Sequence, residues 1–279
     1  MRDYSNKISL TRNSRGIYSL DTSIGCSSGM SNELNGCYGD CYAAKSAKIY
    51  GYNFNKTILR FFIDEKHRQS IFNRINNVKL DFIRIGCSGD PSENWEHTIS
   101  IIKQIDKCNK QIVIITKHWT NLTLEQLNYF ATINICINTS VSAMDNPKLL
   151  SNSIEQYNVL KKYCKSILRI VSCDFNLNNE VGIKLNKIQH DLFKNDSTLD
   201  TVFRPSKDNY FVVNDIINTS FGKFMSNEKT LISKMKKSTY TGSCNTCHEM
   251  CGLNIKPKNI EYPNKKGIIK QLKLFKSIT

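Results

Sequence analysis

At 279 residues the chain is long enough for one substantial domain, or for a barrel with a small appendage. Its hydrophobic fraction of 40% is that of an ordinary globular protein, and no apolar run approaches the ~20 residues of a membrane-spanning helix, which excludes that class. The excess of 39 Lys and Arg over 24 Asp and Glu, a formal +15, fits a partner rich in phosphate; a chain rich in Lys, Asn and Ile also acquires such a charge from an AT-rich gene whatever its function.

The opening Met-Arg-Asp-Tyr-Ser-Asn-Lys contains no secretory signal, so a cytoplasmic protein is expected. A first strand over Gly16–Asp21 leads into a cysteine-bearing segment, followed by helices over Ala43–Tyr50 and Asp64–Asn77. Then β-branched runs at Leu80–Gly86, Gln111–Thr116, Ile133–Asn138, Ser166–Ser172 and Leu199–Arg204 read as strands. Between them, Glu93–Cys108, Thr123–Phe130 and Ser151–Cys164 carry apolar residues at helical spacing. Near-continuous apolar strands alternating with helices predict an α/β fold whose parallel sheet is covered by helices. Six such units are too few for a complete eight-fold barrel and suit a partial (β/α)6 TIM-like barrel or an open sheet.

The alternation fades near residue 208, dividing the chain into a core over 1–207 and a C-terminal extension over 208–279. The extension holds a helix-like stretch, Asn227–Lys237, then a second cysteine group. Its tail, residues 252–279, carries seven lysines and one acid, Glu261, and Gly267–Ile278 has the spacing of an amphipathic helix.

The strand ends are polar in succession: Cys26, Ser88-Gly89-Asp90, Thr116-Lys117-His118, Asn138-Thr139-Ser140, Ser172-Cys173-Asp174 and Arg204-Pro205-Ser206-Lys207. In parallel α/β proteins chemistry gathers at the C-terminal edge of the sheet. His118-Trp119, Asp174, Arg204 and Lys207 share that rim, whereas His97 and His190 stand alone without ligand spacing.

Eleven cysteines, an odd number, with six in two tight groups, favour metal or cluster ligation in a reducing compartment over disulfides. Cys87, Cys108, Cys136, Cys164 and Cys173 are scattered through apolar segments and read as small core residues. Cys26, Cys37 and Cys41 have the spacing C-x10-C-x3-C and are surrounded by Gly25, Gly29, Gly36 and Gly39. Three thiolates can hold three irons of a cubane cluster and leave the fourth open; a zinc site and three free thiols are the other readings. In the second group, Cys244, Cys247 and Cys251, a zinc knuckle would add His248, and an auxiliary iron–sulfur cluster would take a fourth ligand from elsewhere.

The order strand, three-cysteine loop, helix, then a strand ending Gly-Asp-Pro resembles the radical S-adenosylmethionine (SAM) superfamily. Cys-Tyr-Gly-Asp-Cys-Tyr-Ala-Ala-Lys followed by Ile-Arg-Ile-Gly-Cys-Ser-Gly-Asp-Pro is similar to a divergent branch frequent in bacteriophages, over roughly residues 16–251. The resemblance implies a [4Fe–4S] cluster on Cys26, Cys37 and Cys41, with SAM chelated at the open iron and cleaved reductively to a 5′-deoxyadenosyl radical. Ser88, Gly89 and Asp90 would meet the methionyl amine, Asn138, Ser140 and Ser142 the ribose, and Arg169 or Lys117 the methionyl carboxylate. The family's motif is C-x3-C-x2-C with an aromatic residue before the last cysteine; Asp40 stands there, leaving Tyr38 or Tyr42 to supply an adenine surface.

The resemblance further implies a flavodoxin- or ferredoxin-type electron donor, a second cluster or zinc at Cys244, Cys247 and Cys251, and the host cytoplasm as location for a phage-encoded chain. The substrate expected is a nucleobase in DNA or tRNA, with a peptide or small metabolite as competitor. A non-enzymatic zinc protein that binds nucleic acid is the rival from another class.

Overall fold

The computed structural model describes residues 6–13, 15–31, 34, 36–224, 228–233 and 247–255. Nine strands and eight helices are laid down in order through residue 213: β1 (Leu10–Arg12), β2 (Tyr18–Leu20), β3 (Ser23–Ile24), α1 (Ser27–Met30), α2 (Tyr42–Ile49), β4 (Ile58–Leu59), α3 (Glu65–Asn76), β5 (Phe82–Ile85), α4 (Trp95–Lys103), β6 (Gln111–Thr116), α5 (Leu124–Phe130), β7 (Ile135–Val141), α6 (Pro147–Leu160), β8 (Lys165–Ser172), α7 (Glu180–Leu192), β9 (Thr198–Val202) and α8 (Tyr210–Val213). A hairpin of β10 (Thr219–Phe224) and β11 (Glu228–Ser233) follows.

Seven strands form one sheet in the order β1-β2-β5-β6-β7-β8-β9. The β1–β2 pair is antiparallel; β2 through β9 are parallel neighbours. That order never reverses, so the sheet has no topological switch point, and every parallel strand ends at one common edge.

Both faces are apolar, as a parallel sheet requires. Ile83, Ile85, Ile112, Ile114, Ile135 and Ile137 pack beneath α3, α4 and α5 against Ile71, Ile75, Ile99 and Phe130. The alternate residues Phe82, Val113, Cys136, Ile167 and Leu199 face the other way and pack with Cys251. Helix starts are set by side-chain caps: Asn94 accepts from His97 N–H, and Thr123 with Gln126 forms a capping box.

The expected strands and most helices lie near their predicted positions, with four differences. The segment 227–237 is a strand, not a helix, where it is described: Leu231 and Ile232 pair with Phe221 and Ser220. The pairing and the β-branched Thr230 and Ile232 outweigh the weak helical spacing. The fourth parallel strand runs Ile135–Val141 rather than 133–138, so Asn138 and Ser140 lie within it and only Ser142 follows it. The predicted helix from Glu93 begins as a 3-10 turn over Pro91–Asn94, because Asn94 caps the α-helix proper. Helix α7, strands β1 and β10, and the short β3, β4, α1 and α8 are additional elements.

Described residues beyond 207 pack into the same core as those before it. Phe211, Ile216 and Ile217 lie with Tyr38, Met144, Phe175 and Phe203. The predicted helix Gly267–Ile278 and Cys244 lie outside the described residues. No helix among the described residues is long and apolar enough to cross a membrane.

Candidate functional site

Two glycines bring the cysteine loop to the sheet edge. Gly25 N–H donates to Ser88 O at 3.0 Å, and Gly25 pairs with Gly89 in an isolated parallel bridge. A Cβ on Gly89 would lie 2.6 Å from Gly25 O, and one on Gly25, whose φ is +90°, would lie 2.1 Å from Lys56 O. Only glycine permits this approach at both positions. Asp21 reinforces it by accepting from Gly86 N–H at 3.1 Å and Cys87 N–H at 2.8 Å. Cys26 therefore stands beside the Ser88-Gly89-Asp90 end of β5.

Cys26 precedes the single turn of α1, and Cys41 precedes α2. Glu93 holds that first turn: it accepts from Ser28 N–H at 2.9 Å, Ser27 Oγ at 2.6 Å and Thr57 Oγ1 at 3.2 Å, with Cys26 Sγ at 3.5 Å. Burial, then the charges of Asp90, Glu93 and Cys37, push the Cys26 thiol far above its ordinary range. Cys37 is pushed up to about 12 by burial, with Lys117 opposing and Cys41 adding to the rise. A Cβ at Gly29 would lie 2.7 Å from Cys26 Sγ and 3.4 Å from the Trp119 ring, so the absent side chain leaves that sulfur its space.

The Cys37–Cys41 turn is braced from two directions. Tyr38 takes a left-handed φ of 61°, and Asn209 Nδ2 donates to its carbonyl at 2.7 Å. Asp40 accepts from Ser206 N–H at 2.8 Å and Asn209 Nδ2 at 2.8 Å. On the other side Lys117 donates to the Tyr38 hydroxyl and to both carboxylate oxygens of Asp145, at 2.7 and 2.9 Å. Cys37 and Tyr38, with Lys117, His118, Trp119 and Asp145, help line a cavity of about 940 Å³ at the ends of β6 and β7.

Several residues expected to face a cofactor are engaged within the protein. The buried Asp90 carboxylate accepts from Ser92 N–H (2.9 Å), Ser92 Oγ (2.8 Å), Thr116 Oγ1 (2.7 Å) and Lys117 N–H (2.8 Å). Burial nevertheless raises its pKa, against those hydrogen bonds. Lys117 is paired with Asp145 rather than available to a carboxylate. Ser142 donates to Val171 O at 2.8 Å, and the Tyr42 hydroxyl donates to Cys87 O. Asn138 Nδ2 donates to Cys251 O at 3.1 Å, while its Oδ1 is buried and has no partner among the described residues. Asn138 and Ser140 share the sheet face opposite the helices with Arg169, Ser140 and Arg169 being register partners.

Of the second cysteine group, Cys247 and Cys251 are described, and Cys251 lies on the sheet face opposite α3, α4 and α5. Cys251, in a left-handed turn at φ 55°, packs among Ile17, Phe82, Val113, Cys136 and Ile167. Cys247 is half-buried. Cys87, Cys136, Cys164 and Cys173 are buried core residues and Cys108 is half-buried. His97 is buried, its Nε2 within hydrogen-bond distance of the Thr22 and Arg60 carbonyls.

Glu93, Asp145 and Asn209 escaped the sequence reading as site residues, and Ser206 entered it only as part of a polar strand end. Each is an ordinary polar residue in a loop or helix start, and only the fold brings it to the cysteine turn. Among the described residues, no three His, Cys, Asp or Glu side chains converge to hold one metal ion. A cubane cluster makes a different demand, one thiolate per iron. Cys26, Cys37 and Cys41 are free thiols of one loop, the donor type such a cluster takes, and the missing side chain at Gly29 leaves Cys26 Sγ its space. No family model, curated protein or solved structure matches the chain.

Proposed function

We propose that the chain is a radical SAM iron–sulfur enzyme built on a partial (β/α)6 barrel. The observation that carries this reading is the Gly25–Gly89 bridge, which sets the first of three closely grouped cysteines against a Ser-Gly-Asp strand end. The unbroken strand order and common C-terminal edge are those of a sheet curling toward a barrel.

Cys26, Cys37 and Cys41 would hold a [4Fe–4S] cluster, which when bound delivers an electron to SAM and so generates a 5′-deoxyadenosyl radical. The protein's own residues bind, orient and shield. Lys117 lowers the cost of a thiolate at Cys37 while Asp145, its ion-pair partner, raises it, so the pair holds Lys117 in place beside the thiol rather than charging the site. Glu93 and Asp40 hold the two helical turns that carry the thiols. Asp90 fixes the β5 and β6 ends relative to each other through Ser92, Thr116 and Lys117, a positioning role rather than a ligand role. The buried Met144 and the partly buried Trp119 would limit water near the reacting atoms.

A low-potential flavodoxin or ferredoxin would be the electron source. No metal is assigned to Cys247 and Cys251, because Cys251 sits among apolar side chains.

The test is anaerobic purification with iron and sulfide analysis, then reduction in the presence of SAM. Brown, iron-containing protein that releases 5′-deoxyadenosine supports the reading, with Cys37→Ala abolishing release. Colourless protein that binds no iron on reconstitution and leaves SAM intact overturns it.

A further inference from the structure

The cavity of about 940 Å³ shares Cys37 and Trp119 with the cysteine loop's surroundings, and its wall chemistry is selective. Among its charged lining residues, Lys117 and Asp145 neutralise each other through two hydrogen bonds. Lys148 is the remaining one, and it is exposed. His118 is fully buried, and burial lowers its pKa to about 3, so it is neutral at physiological pH. The wall therefore offers little to a buried carboxylate or ammonium.

Instead it offers flat rings and neutral hydrogen-bonding groups. Trp119, only partly buried, supplies aromatic surface and Asn121 a carboxamide; Asn146 Oδ1 already accepts from Lys148 N–H and Asn152 Nδ2 donates to His118 O, which leaves the Asn146 amide NH2 and the Asn152 carbonyl as further edges. Two nitrogens of lining residues, His118 Nδ1 and Trp119 Nε1, are buried without a hydrogen-bond partner among the described residues. Such unpaired groups are costly, and these two lie beneath the cavity surface rather than on it. Planar heterocycles with donors and acceptors on their edges match this combination, stacking on rings and pairing with amides.

We propose that this cavity binds a nucleobase, the substrate of the radical chemistry, with Trp119 as its stacking surface and Lys148 meeting the attached phosphate at the mouth. The inference rests on the proposed function only for the word substrate; base binding itself requires neither cluster nor SAM. The base can come from a free nucleotide or from a single-stranded or extruded position in a polynucleotide. The formal charge of +15 suits the second source.

The experiment titrates the full-length protein, without iron or reductant, and follows the fluorescence of its two tryptophans, Trp95 and Trp119. Probes are short single-stranded DNA and RNA, nucleoside monophosphates, uncharged nucleosides and SAM. Quenching by the nucleobase probes is expected, with affinity falling about fivefold or more in Trp119→Ala. Affinity much higher for oligonucleotides than for monophosphates assigns the polymer; equal affinity assigns the free nucleotide. Lys148→Ala should weaken every phosphate-bearing probe and spare the nucleosides, and as an exposed position it keeps the test usable if Trp119→Ala does not fold.

Binding of SAM alone would make the cavity a cofactor site and overturn the inference, as would no binding of any base or equal binding by wild type and Trp119→Ala. Base binding without SAM cleavage would leave this inference standing and sink the enzymatic reading; cleavage without base binding does the reverse.

Discussion

Asp40 and Ser206, far apart in sequence, are joined by two kinds of hydrogen bond: the Asp40 carboxylate accepts from the Ser206 backbone N–H at 2.8 Å and from its hydroxyl at 2.9 Å. The contact links the loop that follows the first parallel strand to the loop that follows the last. With its side chain only 1% exposed, Asp40 also accepts from Asn209 and Lys45. Asp40 is thus a latch on the cysteine turn. Asp40→Ala should lower stability by about 1–3 kcal/mol, the cost of leaving buried donors unpaired. Urea denaturation of the metal-free protein measures it, and an unchanged midpoint would refute the latch.

A second carboxylate, Asp90, separates positioning from cofactor contact. All four of its hydrogen bonds come from protein donors on the β5 and β6 ends. Asp90→Asn replaces one acceptor oxygen with an amine that faces donors, so a loss of about 1–3 kcal/mol is expected. The sign of its pH effect follows from its raised pKa: the folded state holds the proton more tightly than the unfolded chain, so Asp90 itself lowers stability as pH rises through the window above 3.8. Wild type and Asp90→Asn compared across that window should differ in slope.

The sheet was legible in the sequence because its strands are uninterrupted β-branched runs, Gln111–Thr116 above all, bounded by polar turns. The cysteine turn's place at the C-terminal edge was legible for the same reason, since Cys26 directly follows a strand. What holds the turn there was not. Glu93, Asp145 and Asn209 contact it only after the chain has folded back, with no local spacing to mark them. Lys117 was read as a ligand for an external carboxylate because its internal partner, Asp145, sits one strand away. The stretch after Asn227 misled because a short amphipathic segment satisfies helix and strand periods almost equally, and its partner Thr219–Phe224 decides the matter.

Acid should weaken the fold through His118. Its ring is fully buried, with Nε2 at 3.0 Å from Thr139 Oγ1, and burial moves its pKa from 6.5 down to about 3. Between those values the unfolded chain binds the proton and the folded chain does not, so stability is lost as pH falls through that window. From pH 7 to pH 5 the contribution is on the order of 2 kcal/mol, at 1.36 kcal/mol per unit. Denaturation midpoints at the two pH values should show that slope in wild type and a shallower one in His118→Gln.

Gly29 tests the space around the first thiol. A methyl group there would meet Cys26 Sγ at 2.7 Å, inside any normal contact, so the sulfur or the turn must move. Gly29→Ala should take up markedly less iron than wild type on anaerobic reconstitution. Thermal denaturation of the metal-free protein provides the control, since a shift of only a few degrees would show that the fold survives while the ligand geometry does not. Full iron loading in the variant would contradict the role given to Cys26.

The C-terminal cysteines divide by burial, and their variants should divide likewise. Cys251 packs against Ile17, Phe82, Val113 and Ile167, and the neighbouring Gly252 lies so close to Ile167 that a Cβ would approach it to 2.6 Å. Cys251→Ser buries a hydroxyl among apolar groups and should cost about 1–3 kcal/mol, whereas the half-buried Cys247→Ser should cost under about 0.5 kcal/mol in metal-free protein. A metal shared by the two would change that pattern. Chelator would then lower the melting temperature of wild type, and both serine variants would melt at one common lower temperature, because losing either ligand breaks the same site. Unequal variants with no chelator effect on the wild type would identify Cys251 as a packing residue on the sheet face opposite α3, α4 and α5.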